Sequence, residues 1–312
     1  MPVLLAAMMF FVGGDAQAAP PNGPATEHDR IVRYWTPERV AHARPREVER
    51  NIPLAPLGKP AGGSNSGGGA YWSGGGLVKQ TTGRVLFTLG GSDWVCSGSV
   101  ATDTQANTSL VLTAGHCVYD DRTNEFATNW MFVPDYETAG TFNCDVARFG
   151  CWTADALITT TAWRDSDFNE DYAFAVLGAG GKTGESLQLD STVGAQAISF
   201  FVPQPRLIYA FGYPAARPYN GQKLAYCTGT TFADPYGSTD YGLACDMTGG
   251  ASGGPWFADF DAATGAGTLT SVNSFKYRGL SKYMFGPYFD AYGQQTYNTA
   301  LTASGNTLVA AP

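Results

Sequence analysis

One histidine and one glycine-framed serine are the side chains of this sequence best suited to chemistry. His116 lies in the apolar run LTAGHC, which ends at Cys117, and Ser252 lies at the centre of GGASGGP. An imidazole at the end of a strand can act as a general base near neutral pH. Glycines beside a serine let backbone N–H groups face a developing oxyanion, and the predicted donors are Gly250 and Ser252. Each motif alone also fits a structural histidine or an ordinary glycine-rich turn, but together they indicate acyl transfer by a serine nucleophile.

A carboxylate must orient such an imidazole, and the best candidate is Asp171. It directly precedes the apolar segment YAFAVL, so it can be buried and directed at the imidazole. Asp155, Asp165 and Asp167 are alternatives, but none of them immediately precedes such a strand. A strand-capping role for Asp171 is the plainer interpretation.

The chain order of these residues excludes one class of enzyme. The string GASGG around Ser252 matches the G-x-S-x-G turn of α/β-hydrolases, in which an acid and then a histidine follow the serine. No histidine follows Ser252 in this sequence. The order His116, Asp171, Ser252 is the chymotrypsin-type order.

Metal centres and cofactors are not expected. Residues 165–171 alternate oxygen-bearing side chains like the start of a calcium loop, but Glu170 and Val176 stand where an EF-hand needs Gly and Glu. A zinc site needs clustered Cys and His, and the six cysteines and three histidines include no C-x₂₋₄-C pair. We therefore predict no metal and no cofactor.

The N-terminal sequence is typical of an exported precursor. An apolar run from Pro2 to Val12 precedes the cleavage pattern AQA, which ends at Ala18, although no Lys or Arg precedes the run. Residues 1–18 are predicted to be a signal peptide, with a buried apolar strand as the alternative. The run is shorter than the roughly 20 residues that span a bilayer. Residues 19–76 are predicted to be a propeptide ending in a Gly-rich linker, with a disordered arm as the alternative.

The amino-acid composition limits the possible partners and the fold class. The 312 residues carry 19 Lys and Arg against 27 Asp and Glu, a net charge of −8, which argues against nucleic-acid or anionic-membrane partners. The 39 glycines and the short apolar runs between turn residues predict an all-β fold, with one helix near residues 287–301. Six cysteines in an exported chain predict three disulfides, for which fifteen pairings are possible.

These motifs resemble those of the chymotrypsin-fold serine peptidases, in particular the secreted bacterial V8-like and trypsin-like branch. The resemblance rests on TAGHC, DYAFAVL and GGASGGP in this order and covers roughly residues 83–301; YWTPERV, in residues 34–40, is similar to propeptide segments of such enzymes. It implies that His116 is the general base, Asp171 the orienting acid and Ser252 the nucleophile. Gly250 matches the oxyanion position.

The resemblance also implies an architecture. Two six-stranded antiparallel β-barrels are expected, over residues 77–185 and 186–312, with a short C-terminal helix after the second. A disulfide between Cys96 and Cys117 beside His116 is implied in the same way. The economical pairings of the remaining cysteines are Cys144 with Cys151, and Cys227 with Cys245.

Three positions depart from the family pattern and bear on specificity. Ala251 replaces the Asp that pairs with a freed N-terminus in trypsin-like enzymes, and Asn273 replaces the histidine of glutamate-specific members. Asp246, six residues before Ser252, lies where a carboxylate would favour Arg or Lys at P1. Some V8-like relatives carry an Asp in this neighbourhood without that preference. Asn273, Ser274 and Phe275 match the family's substrate-binding segment. There the substrate backbone is expected to pair with Ser274 and Phe275 as an added strand.

The sequence therefore predicts a secreted, extracellular serine endopeptidase made as a precursor. Its expected partners are protein or peptide substrates, and a monomer is expected. The alternative is a catalytically inactive protease-fold protein that serves in binding or adhesion. An esterase using the same three residues is a third possibility, because ester hydrolysis uses the same chemistry.

Overall fold

The computed structural model describes residues 26–52, 68–105, 108–137 and 141–312. The predicted signal peptide and most of the predicted Gly-rich linker lie outside these ranges. Within them no helix is both long and apolar enough to cross a bilayer. The helices are α1 (Glu27–Tyr34), α2 (Pro37–His42), α3 (Gly76–Thr81), α4 (Thr161–Arg164), α5 (Leu189–Val193) and α6 (Ala291–Ala300).

The strands are short, as the alternation of apolar runs and turn residues predicts. Those of the N-terminal part are β1 (Arg44–Pro45), β2 (Glu49–Arg50), β3 (Ala70–Tyr71), β4 (Thr82–Leu89), β5 (Ser92–Ala101), β6 (Ser109–Thr113), β7 (Tyr119–Asp120), β8 (Glu125–Phe126), β9 (Thr128–Pro134), β10 (Trp152–Thr160) and β11 (Ala173–Leu177). Those of the C-terminal part are β12 (Ala197–Ile198), β13 (Leu207–Gly212), β14 (Ala225–Thr230), β15 (Phe232–Ala233), β16 (Tyr241–Ala244), β17 (Pro255–Asp261), β18 (Ala266–Val272), β19 (Lys276–Tyr277), β20 (Tyr283–Gly286) and β21 (Thr307–Val309).

Six antiparallel strands close into a barrel in the N-terminal half. Their order is β5-β4-β9-β10-β11-β6, and β6 pairs back onto β5. The turn between β4 and β5 is Gly90-Gly91, with φ of 56° and 71°, which a two-residue hairpin turn requires and glycine adopts freely. Apolar side chains such as Val85, Leu112 and Phe132 fill the interior and are fully buried. Closure fixes the ends of β6 and β11 side by side.

The C-terminal half contains a six-stranded sheet in the order β12-β18-β17-β13-β14-β3 and a three-stranded sheet in the order β15-β16-β20. Large side chains such as Trp256 and Phe211 are fully buried in this half. The predicted all-β, chymotrypsin-like fold with a short C-terminal helix is confirmed, and the first barrel is closed. Closure of a second barrel stays a prediction, as do the domain boundaries.

The C-terminal helix returns the chain to the first barrel. Asp290 caps α6, its Oδ1 accepting hydrogen bonds from the backbone N–H groups of Tyr292 and Gly293. After α6, β21 pairs in parallel with β10 of the first barrel. The hydroxyl of Tyr292 donates to the backbone oxygen of Val309, at 2.5 Å, which ties the helix to that last strand.

The segment 26–46 packs on the first barrel. A capping box begins α1: Asp29 N–H donates to the hydroxyl of Thr26, and Thr26 N–H donates to the carboxylate of Asp29. Ile31 and Trp35 are buried, and the indole N–H of Trp35 donates to the backbone oxygen of Asn129 at 2.7 Å. Helices α1 and α2 therefore lead the chain across the barrel to β1 and β2.

Candidate active site

His116 is positioned by the end of β6. It lies in a short 3₁₀ turn, Gly115–Cys117, and its side chain is fully buried. A Cβ added at Gly115 would come within 2.7 Å of Trp163 Cγ and 3.0 Å of Asp171 Oδ1. Only glycine therefore allows the turn to pack this closely against the acid.

Asp171 reaches the histidine because β11 and β6 pair antiparallel, with Ala173 opposite Thr113. Its Oδ2 lies 2.8 Å from His116 Nδ1, and its Oδ1 accepts the backbone N–H of His116, also at 2.8 Å. Ser274 adds a third contact, its hydroxyl donating to Asp171 Oδ2 at 2.5 Å. The carboxylate is fully buried, so these donors replace its lost hydration.

The other acidic candidates lie elsewhere. Asp165 pairs with its neighbour Arg164, and Asp167 accepts hydrogen bonds from Asn169. Burial raises the pKa of Asp155, which attraction to His28 partly offsets. Among the four acidic candidates, Asp171 is the one in contact with His116.

Ser252 lies in a loop whose shape depends on glycine. Gly250 and Gly253 have φ of 96° and 77°, a region that side chains with a Cβ rarely adopt. The loop is braced by β5, because Ser97 N–H donates to the backbone oxygen of Ser252 at 2.7 Å. The hydroxyl of Ser97 donates to the backbone oxygen of Gly250 at 2.8 Å. The nucleophile candidate is thus held at the boundary between the two halves of the fold.

Residue Arg46, from the N-terminal segment, contacts both candidate groups on this loop. Its backbone oxygen accepts the N–H of Gly250 at 3.1 Å and the hydroxyl of Ser252 at 3.0 Å. Within the described residues, the buried Nε2 of His116 has no hydrogen-bond partner. The predicted oxyanion donor and the predicted nucleophile therefore share one carbonyl oxygen. The sequence analysis did not anticipate this contact.

The predicted substrate-binding segment follows the loop in space. Asn273 is fully buried behind it: Nδ2 donates to the backbone oxygens of Ala251 and Phe211, and Oδ1 accepts the indole N–H of Trp256. Ser274 contacts the acid, and Phe275 stacks on Phe285. Direct contact of these residues with a substrate stays a prediction.

Asp246 is engaged by hydrogen-bond donors. Its Oδ1 accepts the backbone N–H of Gly69 at 2.7 Å and the hydroxyl of Tyr219 at 2.9 Å. Burial, with the hydrogen bond to Asp246 adding to it, raises the pKa of Tyr219, so that hydroxyl keeps its proton. The role of Asp246 in selecting Arg or Lys at P1 stays a prediction.

Lys276 is a charged residue of this region that the sequence analysis did not single out. Its ammonium is largely buried and donates to the backbone oxygens of Ser281 at 2.6 Å and Cys245 at 3.3 Å. Burial lowers its pKa to about 8, while Glu47 and Asp246 act in the opposite direction. A lone lysine within the otherwise uncharged segment SVNSFKY is the sequence signal that could have indicated it.

The six cysteines form three disulfides, Cys96–Cys117, Cys144–Cys151 and Cys227–Cys245. The first joins β5 to the 3₁₀ turn that carries His116. Cys96, Cys117 and His116 are the one group of potential metal ligands within the described residues. Because both sulfurs are in a disulfide, they offer no thiolate to a metal.

Fold and site together define a class, the chymotrypsin-fold serine proteases, and the chain belongs to it. The solved structure of the protease Anisep from Arthrobacter nicotinovorans is 40% identical, with a TM-score of 0.63, and the match covers 72% of this chain and 96% of Anisep. The thermostable serine protease AL20 from an extremophilic microorganism is 41% identical, with a TM-score of 0.63, over 73% of this chain and 99% of AL20.

A more distant likeness concerns the fold. The structure of a Glu endopeptidase is 18% identical with a TM-score of 0.55, and the match covers 75% of this chain and 96% of that protein. No protein-family model and no curated protein matches the sequence.

Proposed function

We propose that this protein is a serine endopeptidase that hydrolyses peptide bonds through His116, Asp171 and Ser252. The observation that carries the proposal is the buried hydrogen bond between His116 and Asp171, in a fold whose glycine loop presents Ser252. The two relatives with 40% and 41% identity, described as a protease and a serine protease, support the same chemistry.

Each residue has a distinct task in the proposed reaction. Ser252 Oγ attacks the peptide carbonyl while His116 Nε2 takes its proton and returns it to the leaving amine. Asp171 fixes the proton on Nδ1, so that Nε2 is free to act as a base, and stabilises the imidazolium that forms. The backbone N–H groups of Gly250 and Ser252 stabilise the oxyanion. Water then hydrolyses the acyl-enzyme by the same steps.

The protein is further proposed to be secreted and made as a precursor. Three disulfides are typical of an oxidising compartment and support an extracellular location. The proposed substrates are therefore proteins or peptides outside the cell. The ordered packing of residues 26–52 on the enzyme supports a propeptide rather than a disordered arm.

A fluorophosphonate probe, which reacts with activated serines, tests the proposed function. The active chain should be labelled, and Ser252→Ala should abolish the labelling. Ser191→Ala, at an exposed serine outside the proposed triad, is the matched control and should leave labelling unchanged. Labelling that persists in S252A, or that is absent from every processed form, contradicts the proposal and favours the inactive alternative.

A further inference from the structure

Residues 44–50, here called the strap, lie across the site from one half of the fold to the other. On the first barrel, β1 pairs with Trp94 and Val95 of β5, and Arg46 N–H donates to the backbone oxygen of Val95 at 3.0 Å. On the other half, β2 pairs with β19, and Lys276 N–H donates to the backbone oxygen of Val48 at 3.3 Å. The strap therefore pairs with β5 of the barrel and with β19 at once, as a recognised peptide pairs with strands of its receptor.

The centre of the strap occupies the reacting groups. Arg46 presents its carbonyl oxygen to Gly250 N–H and to the hydroxyl of Ser252. A hydroxyl that donates its proton to this oxygen is not donating it to His116, whose Nε2 has no partner within the described residues. Attack on another carbonyl would require both contacts to break.

Side chains of the strap anchor it on either side of this carbonyl. The guanidinium of Arg46 lies 4.8 Å from the ring centre of Trp94, and that of Arg50 lies 4.9 Å from the rings of Phe168 and Phe275. In each contact the ring face attracts the guanidinium, more strongly where water is excluded.

Glu47 provides a further anchor. It lines a small cavity with Thr248, Gly249 and Met284, and its carboxylate attracts the ammonium of Lys276. This cavity borders Ser252, so the residue directly after the bound carbonyl is packed beside the nucleophile.

The direction of the strap distinguishes an inhibitor from a substrate. In acyl transfer the residue whose carbonyl is attacked is P1, and the residue after it leaves as the amine. P1 and the residues before it are predicted to bind beside Asp246 and Ser274–Phe275. In the strap, Glu49–Arg50, which follow the bound carbonyl, pair in parallel with Lys276–Tyr277 on that side. The strap thus runs opposite to the direction predicted for a productive substrate.

We infer that the strap is an intramolecular inhibitor that holds the precursor inactive by binding across the site in reverse, with the Arg46 carbonyl on the oxyanion donor. The inference rests on the proposed function. It implies that the strap must leave before the enzyme can work, and that Ser252 does not cut the bond after Arg46. Because the strap is covalently attached, its effective concentration at the site is high.

The first experiment compares Ser252 labelling in uncut and cut chains. A site-specific protease sequence is inserted within residues 58–67 of the full chain, and fluorophosphonate labelling is measured before and after cleavage. If the strap leaves the site in about 1% of uncut molecules, labelling of the uncut chain should be about 100-fold slower than that of the cut chain freed of its fragment. Equal labelling rates before and after cleavage would overturn the inference.

Two variants test the strap within the uncut chain. Glu47→Lys places a second cation near Lys276, and Arg46→Pro removes the N–H that binds Val95. Both variants should be labelled at least about 10-fold faster than the uncut wild type, since each substitution favours the state in which the strap has left the site. Glu27→Lys, on the exposed face of α1, is the matched control and should label like the wild type. The inference fails if E27K and the two strap variants respond alike.

A peptide separates inhibition from cleavage. The nine residues 43–51, added to the cut enzyme, should slow labelling and survive intact, whereas the same residues in reversed order should do neither. Cleavage of the peptide between Arg46 and Glu47 would make the strap a substrate and overturn the inference.

The two proposals can fail separately. If no form is labelled even after cleavage, the proposed function fails. Retention of the freed N-terminal fragment in gel filtration then still tests the strap, because binding does not require catalysis. The fragment should stay with the wild-type domain and dissociate more readily when it carries Glu47→Lys; equal retention of both fragments argues against the strap.

Discussion

His116 Nδ1 and Asp171 Oδ2 lie 2.8 Å apart, and both side chains are fully inaccessible to solvent. A second contact, from the backbone N–H of His116 to Oδ1 of the same carboxylate, fixes the turn as well as the ring. One acid therefore determines both where the imidazole lies and which nitrogen carries its proton. This relationship makes the acid the most sensitive position to test.

Replacing Asp171 by Asn should lower kcat for a peptide substrate by a factor on the order of 10⁴, because the amide favours the wrong tautomer of His116. Asp165→Asn, at an exposed acid that pairs with Arg164, is the matched control and should retain activity. Circular dichroism checks that both variants fold. A D171N variant as active as D165N would show that another acid orients the histidine.

Ser274 should act through Asp171. Ser274→Ala removes the hydroxyl that donates to Asp171 Oδ2, and kcat should fall about 10-fold, in line with a hydrogen bond to a charged group of roughly 1.5 kcal/mol. Ser271→Ala is a fair comparison, since that hydroxyl donates to the backbone oxygen of Pro287 instead. KM should change little in S274A. Equal effects of the two substitutions on kcat would indicate a structural role only.

The Cys96–Cys117 disulfide should contribute more to stability and activity than the Cys144–Cys151 disulfide. Cys96 and Cys117 are 21 positions apart in sequence, whereas Cys144 and Cys151 are 7 apart. Loop entropy then predicts losses in the free energy of unfolding of about 3 and about 2 kcal/mol for the two double alanine variants. Denaturant titration measures both, and activity should fall further in the first because its loop carries His116. The reverse order would contradict this account.

Asp246 is the group to change for specificity. If it binds an Arg or Lys side chain at P1, Asp246→Asn should lower kcat/KM for such peptides about 100-fold, the effect of removing one partner of a buried charge pair. Asp259→Asn, on the surface, is the control. Unchanged P1 preference in a peptide library eliminates this role for Asp246.

The pH dependence of stability should respond to Glu170. Burial raises the pKa of this carboxyl group to about 7 from 4.5, although its hydrogen bond with Tyr172 opposes the shift. Between pH 4.5 and 7 the folded chain thus holds a proton that the unfolded chain has lost, so stability falls as pH rises through this window. Glu170→Gln should remove a decline of roughly 2 kcal/mol, allowing for partial screening by water.

Urea titrations of wild type and E170Q at both ends of that window measure the difference. The two curves of unfolding free energy against pH should converge on the acid side and separate towards neutral pH. Parallel curves would mean that Glu170 ionises normally in the folded chain.

The fold and the proposed triad could be predicted because local motifs encode them. TAGHC ends an apolar strand, the acid precedes another, and glycines frame the serine, so the residues are defined by their neighbours in sequence. The structure brings His116 and Asp171 together through the pairing of β6 with β11, a contact that three motifs in order already imply.

Other features depend on contacts that no local pattern contains. The strap reads RPREVER, a charged stretch with a proline, which locally resembles a linker more than a bound strand. Its conformation comes from pairing with β5 and β19, which lie more than 40 residues away in sequence, as the pairing of Arg44 with Trp94 illustrates. Lys276 was overlooked for the same reason, because its partners are backbone oxygens supplied by the fold.

The parallel pairing of β21 with β10 has a consequence for how the protein folds. The N-terminal half leaves the ribosome first, yet one of the strands that hydrogen-bonds to its barrel, Thr307–Val309, is synthesised well after it. This edge of β10 must therefore stay uncovered until Thr307–Val309 has been synthesised. Contacts so distant in sequence slow folding, and an uncovered edge invites aggregation.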